Sequence, residues 1–283
     1  MSRHRSLVAA PVIILLLMAS GLLQHDYDRH RHYFADRNVF VSLPSGKTLR
    51  ILSFGFTNFI ADLIYLWAIQ FYSSTQLNNR YDYIESIFNT ITDMTPDYRE
   101  VYTIGSLIMV YEKNDIAMAL RLLDKGSANL PQEWIFDLDA GYYCYKYLKN
   151  YSQAESYYGR AAQKPDAPNF IKRNQAHMVY LRDDPEVSFR MWLDIYQNAR
   201  DTMERDSAFN HLYQIKSEID RRLLGERIRV FRDRYGRLPR NLAELVQRGL
   251  LDKIPVDFGG GEYRYDPASG QVKAGREFRW KKF

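Results

Sequence analysis

One cysteine, Cys144, stands in a chain of 283 residues, so no disulfide can close within it and a disulfide scaffold is excluded. No long run of one charge sign is present either. The 39 Lys and Arg and 34 Asp and Glu are interspersed, giving a net charge of +5, which argues against a dedicated nucleic-acid patch. There is no phosphate loop, no strand-bounded dinucleotide fingerprint, no pair of histidines on one helix face and no nucleophile elbow. The glycines at 259–261 form a turn, because no helix pattern follows them. No enzyme activity and no cofactor are expected. Cys144, in the aromatic run "AGYYCYKY", reads as a small buried hydrophobe.

Tyrosine is abundant where tryptophan is scarce: 22 Tyr against four Trp. That balance suits many amphipathic packing positions. The first 23 residues, "MSRHRSLVAAPVIILLLMASGLL", set Arg3 and Arg5 before an apolar run over residues 7–23, about the minimum that crosses a bilayer. The same layout fits a secretory signal peptide, with a small-residue site at Ala19-Ser20-Gly21. The continuation through Leu22 and Leu23 favours an uncleaved signal anchor. Flanking positive charges balance on the two sides (the amino terminus, Arg3 and Arg5 against Arg29, Arg31 and Arg37), so orientation rests on the short basic leader staying in the cytoplasm. The expectation is a single-pass bacterial inner-membrane protein with the bulk of the chain in the periplasm. His25, Asp26, Asp28, His30 and His32 follow the run and read as a solvated collar, since no spacing sets them on one face as metal ligands.

A stripe then recurs. Ile84, Phe88 and Ile91 are followed 35 residues on by Ala119, Leu123 and Gly126, then by Ala154, Tyr158 and Ala161, and 34 further by Ser188, Trp192 and Ile195. Positions i, i+4 and i+7 lie on one helix face. Small members let a partner helix approach and the large one fills the gap. Pro96 and Pro131 close the first two stripes, with Pro165 near the third, and Gly105 and Gly141, 36 apart, mark close crossings in the intervening helices. This pattern resembles the tetratricopeptide repeat (TPR) over about residues 56–200, in four units of which the first and last are degenerate. It departs in lacking the usual Trp at the start of a unit, although Trp134 lies close to one such position. The resemblance implies a solenoid with a concave groove lined by the first helix of each unit. Counting from Gly105 and Gly141, the protein-binding groove residues are Arg99, Tyr102, Tyr142, Tyr145 and Lys146.

In that register the apolar stretch at 53–74, "SFGFTNFIADLIYLWAIQFYSS", is the opening helix of the repeats rather than a second span. Asp62 at the centre of a span costs about 2.5–3.5 kcal/mol. As a repeat helix the stretch turns Leu63, Leu66, Trp67 and Phe71 inward. Before it, Val39, Val41 and Leu43 alternate around Pro44-Ser45-Gly46 and predict a short hairpin.

Towards the C-terminus one long helix is predicted from about Met203 to Tyr235, with Gly236 ending it, and a short helix opens on an Asn241/Glu244 capping box. Tyr263 and Tyr265, a turn at 266–270 and Val272 predict a hairpin. Tyr235, Gly236 and Pro239, then Leu242, Leu245 and Gly249, then Pro255 and Asp257, then Tyr263 and Tyr265, make residues 228–272 similar to the C-terminal part of the major pseudopilins of type II secretion. Phe258 and Gly259 stand where that family has Pro-Trp, and its leader is absent, so no pilin subunit is implied. Calcium binding in the family's loop would fall here on Asp257 and Asp266 with Glu262, too few donors for a metal site to be expected.

The fold expected is therefore mainly α: a TPR-like solenoid with an N-terminal transmembrane helix and a small C-terminal α/β cap. Its divisions are an anchor at 1–24, a juxtamembrane linker with hairpin at 25–55, repeats at 56–202, and the long helix with its cap at 203–283. The function expected is a membrane-anchored scaffold whose groove holds a protein partner in the cell envelope, attached through residues 7–23 and binding no nucleic acid. Alternatives are an assembly or regulatory factor of a secretion or pilus machine, and a lipid- or glycan-handling envelope protein.

Overall fold

Ser45 opens a helix at residues 46–52: its hydroxyl accepts the Thr48 amide at 3.2 Å. Pro44-Ser45-Gly46 is thus a helix N-cap, and the hairpin predicted there is replaced by α1, Gly46–Leu52. The computed structural model describes Met18, Gly21, Leu22, residues 41–75 and residues 77–275. Most of the expected anchor, and the whole His collar at 25–32, lie outside the described residues. No helix among the described residues is long and apolar enough to cross a membrane.

The described chain is mainly helical, with eleven α-helices and two short strands. After α1 come α2 (Thr57–Ser73), α3 (Ile84–Met94), α4 (Arg99–Tyr111) and α5 (Ile116–Asn129). Next, α6 (Ile135–Tyr143) runs into a π turn over Cys144–Leu148, followed by α7 (Tyr151–Ala162), α8 (Phe170–Leu181), α9 (Pro185–Gln197) and α10 (Thr202–Tyr235). A short α11 (Ala243–Gln247) and an antiparallel pair, β1 (Arg264–Tyr265) and β2 (Val272–Lys273), complete the described residues. Two compact units result, residues 1–122 and 123–283, and the division falls within α5.

All twelve stripe residues are buried, on α3, α5, α7 and α9. The glycines of the intervening helices mark the close crossings expected of them. A Cβ on Gly105 would stand 2.6 Å from Phe88 and 2.7 Å from Leu122, and one on Gly141 would stand 2.9 Å from the Tyr158 ring. The helix starts repeat too. Asp115 accepts the Met118 amide, Asn150 that of Gln153 and Asp184 that of Val187, so a capping side chain recurs after 35 and then 34 residues.

In the first unit, α1 and α2 both pack on α3, and α3 on α4. Gly46 is the contact point of α1, since a Cβ there would lie 2.4 Å from the Thr90 carbonyl. Of the four α2 residues predicted to face inward, Phe71 is buried and the other three are not. Ala61, Ala68, Phe71 and Tyr72 are buried, while Leu63, Leu66 and Trp67 are exposed. Two alanines seven residues apart let α3 come close, and Tyr72 stacks on Phe88 at 5.9 Å, so the larger aliphatic side chains are left outside.

In the second unit each of α6 to α10 packs on the next. Asp137, 1% exposed, takes Arg160 at 2.6 Å and Lys164 at 2.6 Å. The Lys164 ammonium also donates to Ser127 Oγ and to the Glu133 carbonyl, and Arg160 reaches Asp124 at 3.2 Å. One buried carboxylate thereby joins α5, α6 and α7.

Asp201 caps α10, which ends at Gly236 with φ +68°, close to the predicted bounds. Its first half shares a core with α8 and α9 around Trp192, Ala208, Leu212 and Ile215. Its second half carries the tail, through Leu224, Ile228 and Phe231 against Leu242, Leu245 and Tyr263. Tyr263 donates to Asp220 at 2.7 Å. Half of the capping box forms: Asn241 accepts the Glu244 amide, whereas the Glu244 carboxylate takes the Arg240 amide and pairs with Arg237.

Replacing Asp137 by Ala leaves the Lys164 ammonium and part of the Arg160 guanidinium buried without their counter-charge. Destabilisation by about 3–5 kcal/mol is expected in urea unfolding. A loss below about 1 kcal/mol, the range of an exposed pair, would contradict the role given to this carboxylate.

Candidate functional site

The five predicted groove residues separate into two groups. Tyr102 is fully buried and its hydroxyl donates to the Pro96 carbonyl at 2.9 Å. It lies three residues before Gly105 and seven before Met109, which is the packed face of α4, so it belongs to the core and not to a groove. Arg99 is exposed in the first turn of the same helix.

Tyr142, Tyr145 and Lys146 come together at the end of α6. The π turn fits five residues where an α-helix would use fewer, and Lys149 closes it in the left-handed region at φ +53°. The rings fan outward as a result. Tyr142 meets Tyr147 edge-on at 6.4 Å, Tyr145 lies 6.3 Å from Tyr151, and the Lys149 ammonium sits 5.6 Å over the Tyr145 ring. Tyr142, Lys146, Tyr147 and Leu148 are exposed. Rigid amphipathic rings beside flexible cations make a surface suited to protein contacts.

Asp139 was not legible as a member of this surface, although it precedes Tyr142 by one helical turn. It is half-buried and has no hydrogen-bond or ion-pair partner among the described residues. Burial pushes its carboxyl up to about 6. Burial, and then the Asp124 charge, raise the Cys144 thiol to about 11, so it stays protonated and unreactive. Beyond α6, a cleft of about 530 Å³ opens between α7, α8 and α9, lined by Gly159, Gln163, Lys172, Gln175, Arg190 and Met191.

The loop with possible metal donors is otherwise engaged. Asp257 accepts the Gly259 and Gly261 amides at 2.9 and 2.7 Å and the Tyr213 hydroxyl at 3.0 Å. Asp266 accepts from Ala268 N and Ser269 Oγ within its turn. Among the described residues no three His, Cys, Asp or Glu side chains are placed to hold a metal ion. Phe258, at the departure from the pseudopilin pattern, packs against Phe189, Tyr196 and Phe209 of α9 and α10.

No protein-family model matches the chain, and no curated protein matches it in sequence.

Asp139 generates a pH-dependent expectation. As pH rises, the unfolded carboxyl ionises near 3.8 and the folded one only near 6, so the folded state loses stability across that window and does not regain it above. Asp139→Asn is expected to add about 1–3 kcal/mol at pH 7.5 and to lose that advantage towards pH 4, measured by urea unfolding at both values. An equal effect at the two pH values would contradict the assignment.

Proposed function

We propose that this chain is a membrane-anchored, TPR-like scaffold that holds a protein partner in the cell envelope. The observation that carries the reading is the burial of all twelve stripe residues on α3, α5, α7 and α9, at steps of 35, 35 and 34 residues. Side chains also bridge one stripe helix to the next, a period apart, through Arg121 with Glu85 and through Tyr157 and Arg160 with Asp124. Contacts of that range are those of a stack of repeats, whose use is to present an extended surface rather than a closed pocket. The partner surface is the end of α6, with Tyr142, Tyr145 and Lys146 as anchors and Asp139 as an acceptor for a cationic group. Residues 7–23 supply the membrane attachment, and the bulk of the chain lies in the periplasm.

A second reading, an assembly or regulatory factor of a secretion or pilus machine, draws on the tail. Its order of long helix, short helix and hairpin follows the pseudopilin-like pattern.

A photo-crosslinking residue at Tyr147 in living cells tests the first reading. One discrete adduct is expected, reduced about tenfold or more by Tyr142→Ala with Lys146→Ala. An adduct that survives the double substitution unchanged, or none at all, would overturn the surface. Removal of residues 237–283 separates the two readings: an unchanged adduct with loss of secretion or piliation would favour the second.

A further inference from the structure

We infer that the outer face of α1 and α2 rests on the bilayer, as a second membrane contact lying in the plane of the interface. The inference rests on the membrane attachment proposed above. Twenty large apolar side chains are exposed among the described residues, and eight of them fall within positions 51–67. Phe54 is 86% exposed and Phe56 69%, and Phe59, Leu63, Leu66 and Trp67 continue the face along α2. A contiguous patch of this kind marks an interaction site.

The corner that presents it is rigid. Ser53 Oγ bonds to the Arg50 carbonyl and to Thr57 Oγ1, and Phe54 takes φ +47° before Gly55 at +93°. An exposed phenylalanine held in the left-handed region satisfies no internal contact, so its projection is a property of the turn itself.

Three observations select a lipid surface as the occupant. Residues 41–61 contain no acidic side chain, while Lys47 and Arg50 are exposed on α1, which suits anionic headgroups. The first acid, Asp62, accepts a hydrogen bond from Tyr98. Only 22 residues, 24–45, separate the apolar N-terminal run from α1, and fully extended they reach no more than about 80 Å. The contact is in-plane because α2 packs its other side on α3 and carries Asp62 within its length, which a span would place in the hydrocarbon.

The full chain is incorporated into vesicles of zwitterionic and anionic phospholipid, with a fluorescent label on Phe59→Cys, Leu66→Cys or, as a water-exposed comparison, Met203→Cys. Buried Cys144 leaves the introduced thiol as the reactive one. Quenching by nitroxide-bearing lipid at positions 59 and 66 is expected to exceed that at 203 by at least about threefold, and to fall towards it when Phe54 and Phe56 are replaced by Asp. Flotation of the same samples reports the anchor separately. If the chain floats but the labels are quenched by aqueous iodide as at 203, the inference falls and the anchor stands. If they are shielded from both quenchers, another protein surface or a second copy covers the face and the inference is equally overturned. A chain that does not float overturns both.

Discussion

At Gly141 a Cβ would stand 2.9 Å from the ring of Tyr158, and at Gly105 2.6 Å from that of Phe88. This demand for a hydrogen where a helix meets an aromatic ring is the constraint from which the packing follows. It fixes how closely successive helices approach, and so which of their faces remain outside. In the second unit it brings α6 near enough to α7 for Asp137 to receive both Arg160 and Lys164. It also seats Asp139 where its carboxyl is half desolvated, beside the tyrosines that the π turn spreads into solvent. The structural packing and the proposed binding surface are thus two sides of one helix.

The stripes were legible because small-large-small at spacings of four and three reads only as one helix face, and because it recurs. Other features were not legible for identifiable reasons. On α2, Phe71 faces inward as expected while Leu63, Leu66 and Trp67 do not, because both sides of the helix are apolar and hydrophobicity cannot tell that the alanines set the contact with α3. Pro44-Ser45-Gly46 has the composition of a turn and of an N-cap alike, and the amide of Thr48 decides between them. Tyr102 was placed in a groove because Tyr is a good binding anchor, although its spacing from Gly105 already put it on the packed face. The Asp137 cluster joins residues 10 to 37 positions apart, a pairing that interspersed charge does not reveal.

The long helix α10 explains how a tail with its own core remains attached. Its first half is packed with α8 and α9, and its second half holds Leu242, Leu245 and Tyr263. Phe258 adds a second fastening on α9 and α10, and Asp257, held by Tyr213 and two backbone amides, fixes the loop that aims it. Phe258 thereby binds the tail to α9 and α10.

A double-mutant cycle at one crossing tests the ring-against-glycine constraint most directly. Gly141→Ala alone should destabilise the chain by about 1–3 kcal/mol, and Tyr158→Leu alone by a similar amount. Made together, they should cost less than their sum by at least about 1 kcal/mol, because the smaller side chain makes room for the added methyl. Additivity within about 0.5 kcal/mol would contradict the account, since the glycine and the ring would then be independent.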